Sequence, residues 1–490
     1  MSHTTTDTED VSFRRRLAEH PRPAAIWAAV LAVLLALEFG ALVHFGFEVL
    51  HAVAKSIPGK PLTGLLLAAI EAAADIPTLL SRELVANQGY WNGEHWVNTF
   101  HVFDVFYLSP KHAWLLRVLL VYAYAFTLLW WVWRGFQTYR THYRTADWTP
   151  RDDQIDRFSR HTWGKFGAVV VFGFMVMALF APTLSPTTLQ QNILDPYSYQ
   201  LKYWSESAKA VEQTLVGQAN LRSASQGSPD NNVGPWSYDQ FGRFHPFGTL
   251  TTGKDLFTFM MYGSRISLFI ALGSMALAAF VASLLAMVTA YYKGLVDLVT
   301  VVLSDGVQSL PVLMIIILLS VVFSDTWIAN VYNGALLLLF IFALIYWPYL
   351  WRSVRGPAFQ VAEEEWIDAA KSYGQTPLKI MQKHMAPYIV GYLLVYGSMS
   401  LGGIIISVAS LSFLGLGITP PTPEWGRAVS AGQPYVATAS WHIALIPGIL
   451  ITIVVTGFNA FGDGVRDAID PQSEGEGGSA DEAAAAGGGG

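Results

Sequence analysis

The chain has 490 residues, of which 52% are hydrophobic and 13% charged, and its net charge is −6. A soluble chain carries about a quarter charged residues, so there is too little charge here to cover soluble cores, and the apolar residues come in blocks that suit lipid. A pI of about 6.1 leaves no basic footprint for nucleic acid, and the absence of cysteine excludes disulfides, thiol catalysis, iron–sulfur clusters and cysteine-ligated zinc.

A bilayer core about 30 Å thick needs roughly 20 apolar residues in a helix. Stretches of that size run over Ala24–Val43, Ala113–Trp133, Gly164–Phe180, Ser267–Tyr291, Leu298–Phe323, Gly334–Leu350, Tyr388–Val408 and Ile443–Phe461. The expectation is an all-α polytopic membrane protein with about eight transmembrane helices. Leu62–Ala74 carries Glu71 and is too short to cross, so it reads as an interfacial or packed amphipathic helix. With both termini inside, about 18 of the 30 lysines and arginines fall on inner connections. The string Arg14-Arg15-Arg16 is the positive flank of a retained first span rather than an export signal.

Residues 1–160 form an N-terminal unit of two spans joined by an outer connection rich in tryptophan, with a basic inner connection after the second. Residues 161–262 hold the third span and a long outer loop that is irregular around Ser223–Trp236. Residues 263–462 carry the remaining spans, and the acidic, Gly/Ala-rich tail 472–490 has too few large apolar residues to fold.

The inner connection 352–387 is the most informative stretch. Its periodicity predicts a helix from Pro357 to Tyr373, with Phe359, Trp366, Ile367, Ala370 and Tyr373 on one face and Glu363, Glu364 and Asp368 turned away from most of that stripe. Gly374 stands where a left-handed cap ends a helix, and Thr376-Pro377 starts another. Elsewhere, Gly248-(four residues)-Gly253-Lys254 imitates a phosphate-binding loop, but the next residue is Asp255 rather than Ser or Thr. Ionisable and helix-breaking residues within spans are candidates for the translocation path or its gating: Asp305, Pro311, Gly402 and Gly403. Glu38 and Arg117 are further intramembrane charges, able to pair or to snorkel. No catalytic constellation and no metal site is expected.

Asp368-Ala369-Ala370-(three residues)-Gly374 followed by His384-Met385-Ala386-Pro387 resembles the Glu-Ala-Ala loop of ABC-importer permeases, with Asp for the usual Glu and Ala386 for the usual Leu. Leu179–Pro186, His245–Thr249, Gly253–Asp255, Tyr262–Leu268, Leu411–Gly417, Pro420–Gly426 and Asn459–Asp467 are similar to the dipeptide/oligopeptide/nickel branch of that family, in family order. Leu250 stands where the family has Asp, and Lys254 where it has Arg. The resemblance implies that six spans form a type I importer core and that this chain is one permease of a heterodimer. It further implies two cytoplasmic ATPases that bind ATP and magnesium, an external substrate-binding protein, and a prokaryotic plasma membrane. On this resemblance Glu364, Trp366, Asp368, Ala369, Ala370, Gly374, His384 and Pro387 are the ATPase-coupling residues. The chain itself would bind no cofactor and hydrolyse nothing. The branch carries dipeptides, oligopeptides, nickel and some sugars, and dipeptides or oligopeptides are the expected cargo. The N-terminal two spans depart from the family. The rival reading is a secondary transporter or channel driven by an ion gradient, disfavoured by the sparse intramembrane charge.

Overall fold

The computed structural model describes residues 13–56, 62–74, 76, 78–81, 87–102, 106–146 and 148–469; the expected tail 472–490 lies outside them. The chain divides into two compact units, one of residues 1–87 and 98–152, the other of residues 88–97 and 153–490. The division therefore falls at Asp152 rather than at 160, and a short piece of the outer connection clusters with the second unit.

In the first unit, α1 (Phe13–Glu19) meets α2 (Pro21–Leu37) at 92°, with a proline at the start of α2. The expected single span Ala24–Val43 is broken at Glu38, and α3 (Phe39–Ser56) follows. The carboxylate of Glu38 accepts the Leu80 N–H at 3.1 Å and the carbonyl of Leu37 accepts the Leu79 N–H at 2.9 Å, so a returning chain takes groups the helix would otherwise use. The Leu62–Ala74 candidate is a helix, α4 (Thr63–Ala74), and it packs on α3. The 33-residue α5 (Pro110–His142) packs on α2, with the indoles of Trp27 and Trp131 each donating to the other's carbonyl at 3.1 and 3.0 Å. Asp152 accepts bonds from the Arg144 guanidinium and the Thr149 N–H, which hold its carboxyl below the usual range. The strands β1 (Asn87–Trp91) and β2 (Trp96–Thr99) pair, as do β3 (His101–Val102) and β4 (Phe106–Tyr107).

The boundary between units falls within α6 (Pro150–Arg160). The second unit is a helical bundle with a folded loop region at one end. Its first member, α7 (Thr162–Leu179), packs against the last, α19, which spans His442–Ile469. Gly167 explains how close they come: a Cβ there would lie 2.2 Å from the Phe461 nitrogen. After α8 (Ala181–Leu184) the loop region contains the hairpin of β5 (Gln200–Ser205) and β6 (Ala210–Leu215), then α9 (Val216–Arg222), and the pair β7 (Ser237–Tyr238) and β8 (Phe244–His245). Between these elements Ser223–Trp236 is irregular apart from one 3-10 turn at Pro229–Asn231, as its composition suggests. Trp96 stacks on Tyr238 at 6.1 Å and 22°, which places the 88–97 segment against this region.

The central helix α10 (Leu256–Tyr292) starts eleven residues before the apolar run predicted at Ser267. Asp255 explains the early start, since its carboxylate accepts the Thr258 N–H at 2.6 Å as an N-cap. A column of fully buried alanines, Ala271, Ala278, Ala282, Ala286 and Ala290, lets neighbouring helices come close. The stretch predicted over Leu298–Phe323 is two helices, α11 (Gly294–Ser309) and α12 (Val312–Val322), bent by 90° at Leu310-Pro311. Proline has no N–H to continue the ladder, and the residue before it is extended (φ −87°, ψ 141°).

The short α13 (Trp327–Asn330) leads into α14 (Ala335–Ala362), which packs closely on α10. Next come α15 (Glu365–Ser372) and α16 (Pro377–Ile380), the latter running through a π-helical turn into α17 (Ala386–Phe413). Between α17 and α19 lies α18 (Trp425–Gly432). Among the described residues six helices are long and apolar enough to cross a membrane, or eight if each bent pair is one span. The predicted all-α polytopic class is what the fold shows, with small hairpins confined to the loops.

Candidate functional site

The site is the segment between α14 and α17. The single helix predicted from Pro357 to Tyr373 is two. Pro357 lies inside α14, held by neighbours such as Val354 and Ala358 that are fully buried, and the chain breaks only at Glu363-Glu364. There Glu363 pairs with Lys293 at 3.1 Å, and Glu364 turns extended (φ −72°, ψ 143°) to cap α15. Phe359 therefore belongs to α14, and the rest of the predicted stripe, Trp366, Ile367, Ala370 and Tyr373, does not share one face.

That break rotates α15 so that Ile367 and Ala370 face inward, 0% and 6% exposed, while Trp366 and Tyr373 face out at 43% and 87%. Glu364, Asp368 and Ala369 are also exposed. The helix ends in a Schellman motif: the Gly374 N–H donates to the Lys371 carbonyl at 2.9 Å and the Gln375 N–H to the Ala370 carbonyl at 3.1 Å. Gly374 is left-handed, φ +73°, and a Cβ there would meet nothing within 4 Å, so its requirement is conformational alone. Thr376 is extended and Pro377 begins α16, as the dipeptide predicts.

Several contacts fix this helix to the bundle. The Lys371 ammonium lies over the Tyr291 ring of α10 at 5.5 Å, and Trp366 stacks on Tyr388 of α17 at 6.1 Å. His384, in the π turn, is 3.3 Å from the Gln375 side chain, and Pro387 is exposed at the start of α17. Arg355 of α14 pairs with Asp297 of α11 and sits 4.9 Å over the Phe359 ring. Through these side chains α15 touches α10 and α17, and the chain joins it to α14 at Glu363-Glu364. The sequence places Lys293 and Arg355 on inner connections and Asp297 near an inner span end, but not the pairs Lys293–Glu363 and Arg355–Asp297, which join sequence-distant elements.

The four translocation candidates are not brought together. Asp305 forms an ion pair with Arg352 of α14, and both are about half exposed. Pro311 sits at the α11–α12 break. Gly402 lies against α19, where a Cβ would be 3.1 Å from the Val455 carbonyl, and Gly403 faces the Tyr346 hydroxyl. An apolar cleft of about 390 Å³ between α17, α18 and α19, lined by residues such as Ile406, Phe413 and Gly426, includes none of the four.

At the other end of the bundle lies a polar cluster that joins the family-like motifs at His245–Thr249 and Gly253–Asp255 to Asp239 and Arg243, two residues the motifs do not include. Asp239 accepts from Arg243 Nε at 2.7 Å, from the Arg243 and Phe241 N–H groups at 2.8 and 3.0 Å, and from the Ser223 hydroxyl at 2.9 Å. Its burial opposes ionisation, yet Arg243 and His245 together hold its carboxyl below the usual range. His245 Nδ1 is 2.7 Å from Asp255, the cap of α10; burial works against its charge, but Asp239 and Asp255 raise its pKa. The phosphate-loop look-alike at Gly248–Asp255 is part of this scaffold: Lys254 donates to the Ile193 carbonyl at 2.9 Å. Glu424, fully buried, caps α18 by accepting the Arg427 N–H at 3.1 Å, and its burial pushes its pKa up to about 7. Among the described residues no group of three His, Asp or Glu side chains is placed to hold a metal ion.

Residues 257–474 match the model of the binding-protein-dependent transport system inner membrane component, and residues 149–201 that of the N-terminal TM domain of oligopeptide transport permease C. A dipeptide transport system permease protein DppC from Alkalihalophilus pseudofirmus is 32% identical over 228 residues, 46% of this chain and 72% of the relative. A glutathione transport system permease protein GsiD from Escherichia coli O1:K1 is 34% identical over 231 residues, 47% of this chain and 73% of the relative. The probable D,D-dipeptide transport system permease protein DdpC from Escherichia coli K12 is 32% identical over 232 residues, 47% and 75% of the two chains. The matched core contains α10 to α19 and hence α15.

Proposed function

Since the chain belongs to the family of binding-protein-dependent transport system inner-membrane components, in its dipeptide/oligopeptide branch, we propose that α15 is the point where a separate ATPase drives import of a dipeptide or oligopeptide. The chain is a multi-pass membrane permease. Its partners are a related permease, two ATPase subunits carrying ATP and magnesium, and an external substrate-binding protein. The N- and C-termini and α15 lie on the cytoplasmic side, and hydrolysis belongs to the ATPases.

The observation that carries this reading is the mounting of α15: its inner face is packed while Trp366, Tyr373 and, in α16, Leu378 at 60% are exposed. Such an aromatic, partly apolar patch on a short helix suits a cleft in a partner. When ATP closes the ATPase pair, α15 moves as a body with the inner ends of α14 and α17. The 28 residues of α14 and the helix running through α16 and α17 carry that displacement across the bundle. The permease pair then switches between two packed states, each favoured by one nucleotide state. Affinity for cargo resides in the external protein, so no charged membrane site is required. The cargo follows the relatives, whose names give dipeptides, D,D-dipeptides and glutathione.

The test is uptake of a labelled dipeptide into proteoliposomes holding the assembled complex and its binding protein. Uptake should require internal ATP and should fail when Gly374→Pro removes the left-handed cap. Uptake that persists without the ATPase and collapses with an ion gradient would overturn the proposal.

A further inference from the structure

The N-terminal unit has no counterpart in the matched core, and its tertiary structure gathers basic and aromatic residues at one corner. Arg16 Nη1 donates to the Tyr143 carbonyl at 2.7 Å, the Tyr143 hydroxyl donates to the His20 carbonyl at 2.5 Å, and it accepts the Ala24 N–H at 3.0 Å. The Phe13 ring lies 6.2 Å from both Tyr139 and Tyr143. These contacts pin α1 to the end of α5 and fix the 92° corner with α2. A helix held across the axis of the span that follows lies in the plane of a bilayer surface.

Arg14, Arg22 and Arg134 are exposed around this corner, and among the described residues none of the three pairs with a carboxylate. Arg15 is paired with Glu19 at 3.3 Å, and Arg144 with Asp152, so among the described residues these two neighbouring carboxylates are already engaged. Exposed aromatics accompany the charge: Phe13 at 49% and Tyr139 at 46% at the corner, with Trp133 at 45% beside Arg134 further along α5. Aromatic rings beside arginines at the end of a span match the level of lipid headgroups.

We propose that this corner is a binding surface for anionic phospholipid of the inner leaflet, which anchors the N-terminal unit in a fixed orientation. The proposal rests on the sidedness given under the function above; the lipid contact itself follows from the arginines that no described carboxylate pairs and from the in-plane helix. Each arginine near an anionic membrane surface is worth about fivefold in affinity, so removing three costs on the order of a hundredfold.

The assembled complex would be titrated with phosphatidylglycerol and, separately, phosphatidylcholine, with bound lipid counted by native mass spectrometry. Wild type is expected to favour phosphatidylglycerol, with affinity falling as salt rises. Arg14→Gln/Arg22→Gln/Arg134→Gln should lose on the order of a hundredfold of that preference, while the triple lysine variant keeps most of it. Equal affinity of wild type and the Gln variant for phosphatidylglycerol overturns the proposal, as does equal affinity for both lipids. Displacement by inorganic phosphate at the lipid's own concentration overturns it in favour of an ion pocket, and loss of a protein subunit instead of lipid overturns it in favour of a protein interface. Sidedness is read apart: in this cysteine-free chain, exposed Thr145→Cys should react with an impermeant maleimide only from the cytoplasmic side.

Discussion

Ile367 of α15 is packed inward and Tyr373, the residue that caps the helix, faces out, so replacing each by alanine separates mounting from docking. Ile367 is fully buried, so Ile367→Ala removes packed methyl groups and costs about 2–5 kcal/mol. Tyr373 is 87% exposed and touches little in the free permease, so Tyr373→Ala should stay within about 0.5 kcal/mol of wild type in stability. If the outer face enters an ATPase cleft, loss of a central aromatic there costs about 2 kcal/mol of association, roughly 30-fold. The two substitutions should therefore give opposite signatures in purified permease and in the complex. Thermal unfolding in detergent should fall for Ile367→Ala and stay put for Tyr373→Ala, whereas co-purification of the ATPase should fall for Tyr373→Ala with the melting temperature intact. A Tyr373→Ala permease that keeps the ATPase at wild-type affinity would refute the assignment of the outward face. A large loss of stability from the same variant would refute the packing argument.

Glu424 predicts a pH dependence. Its carboxyl is raised from 4.5 to about 7, so the folded state holds the proton more tightly than the unfolded chain does. The sign follows: stability present below pH 4.5 is lost as pH rises to 7, by about 3 kcal/mol, and Glu424→Gln should flatten that slope in melting curves; a slope unchanged in the variant would count against the buried acid as its source. Asp239→Asn should cost about 3–5 kcal/mol, because Arg243 and His245 would be left with charge buried against a neutral amide. Limited proteolysis of the 200–245 region would report it, and wild-type resistance in the variant would contradict the role given to this carboxylate.

Much of the architecture was legible because it depends on local pattern. Apolar run length located the spans, and the left-handed cap at Gly374 and the restart at Thr376-Pro377 follow from single-residue conformational preferences. The break at Pro311 was legible in kind, though not its 90° size. What the reading mistook was decided by partners far away in the chain. The first span ends at Leu37 because Glu38 is claimed by the Leu80 backbone, and α10 begins early because Asp255 caps it. The helix expected at Pro357–Tyr373 divides where Glu363 turns to meet Lys293.

The sequence by itself determined that this is a polytopic helical membrane protein, and its motifs, in family order, pointed to the importer permeases. Hydrophobic run length, glycine conformation and proline chemistry are properties of short segments, so they survive without knowledge of the fold. Only the tertiary structure decided which face of α15 is turned outward, which charges are neutralised and which are left exposed at the corner of α1, α2 and α5. Those outcomes depend on residues such as Arg16 and Tyr143, separated by more than a hundred positions, whose meeting no local pattern encodes.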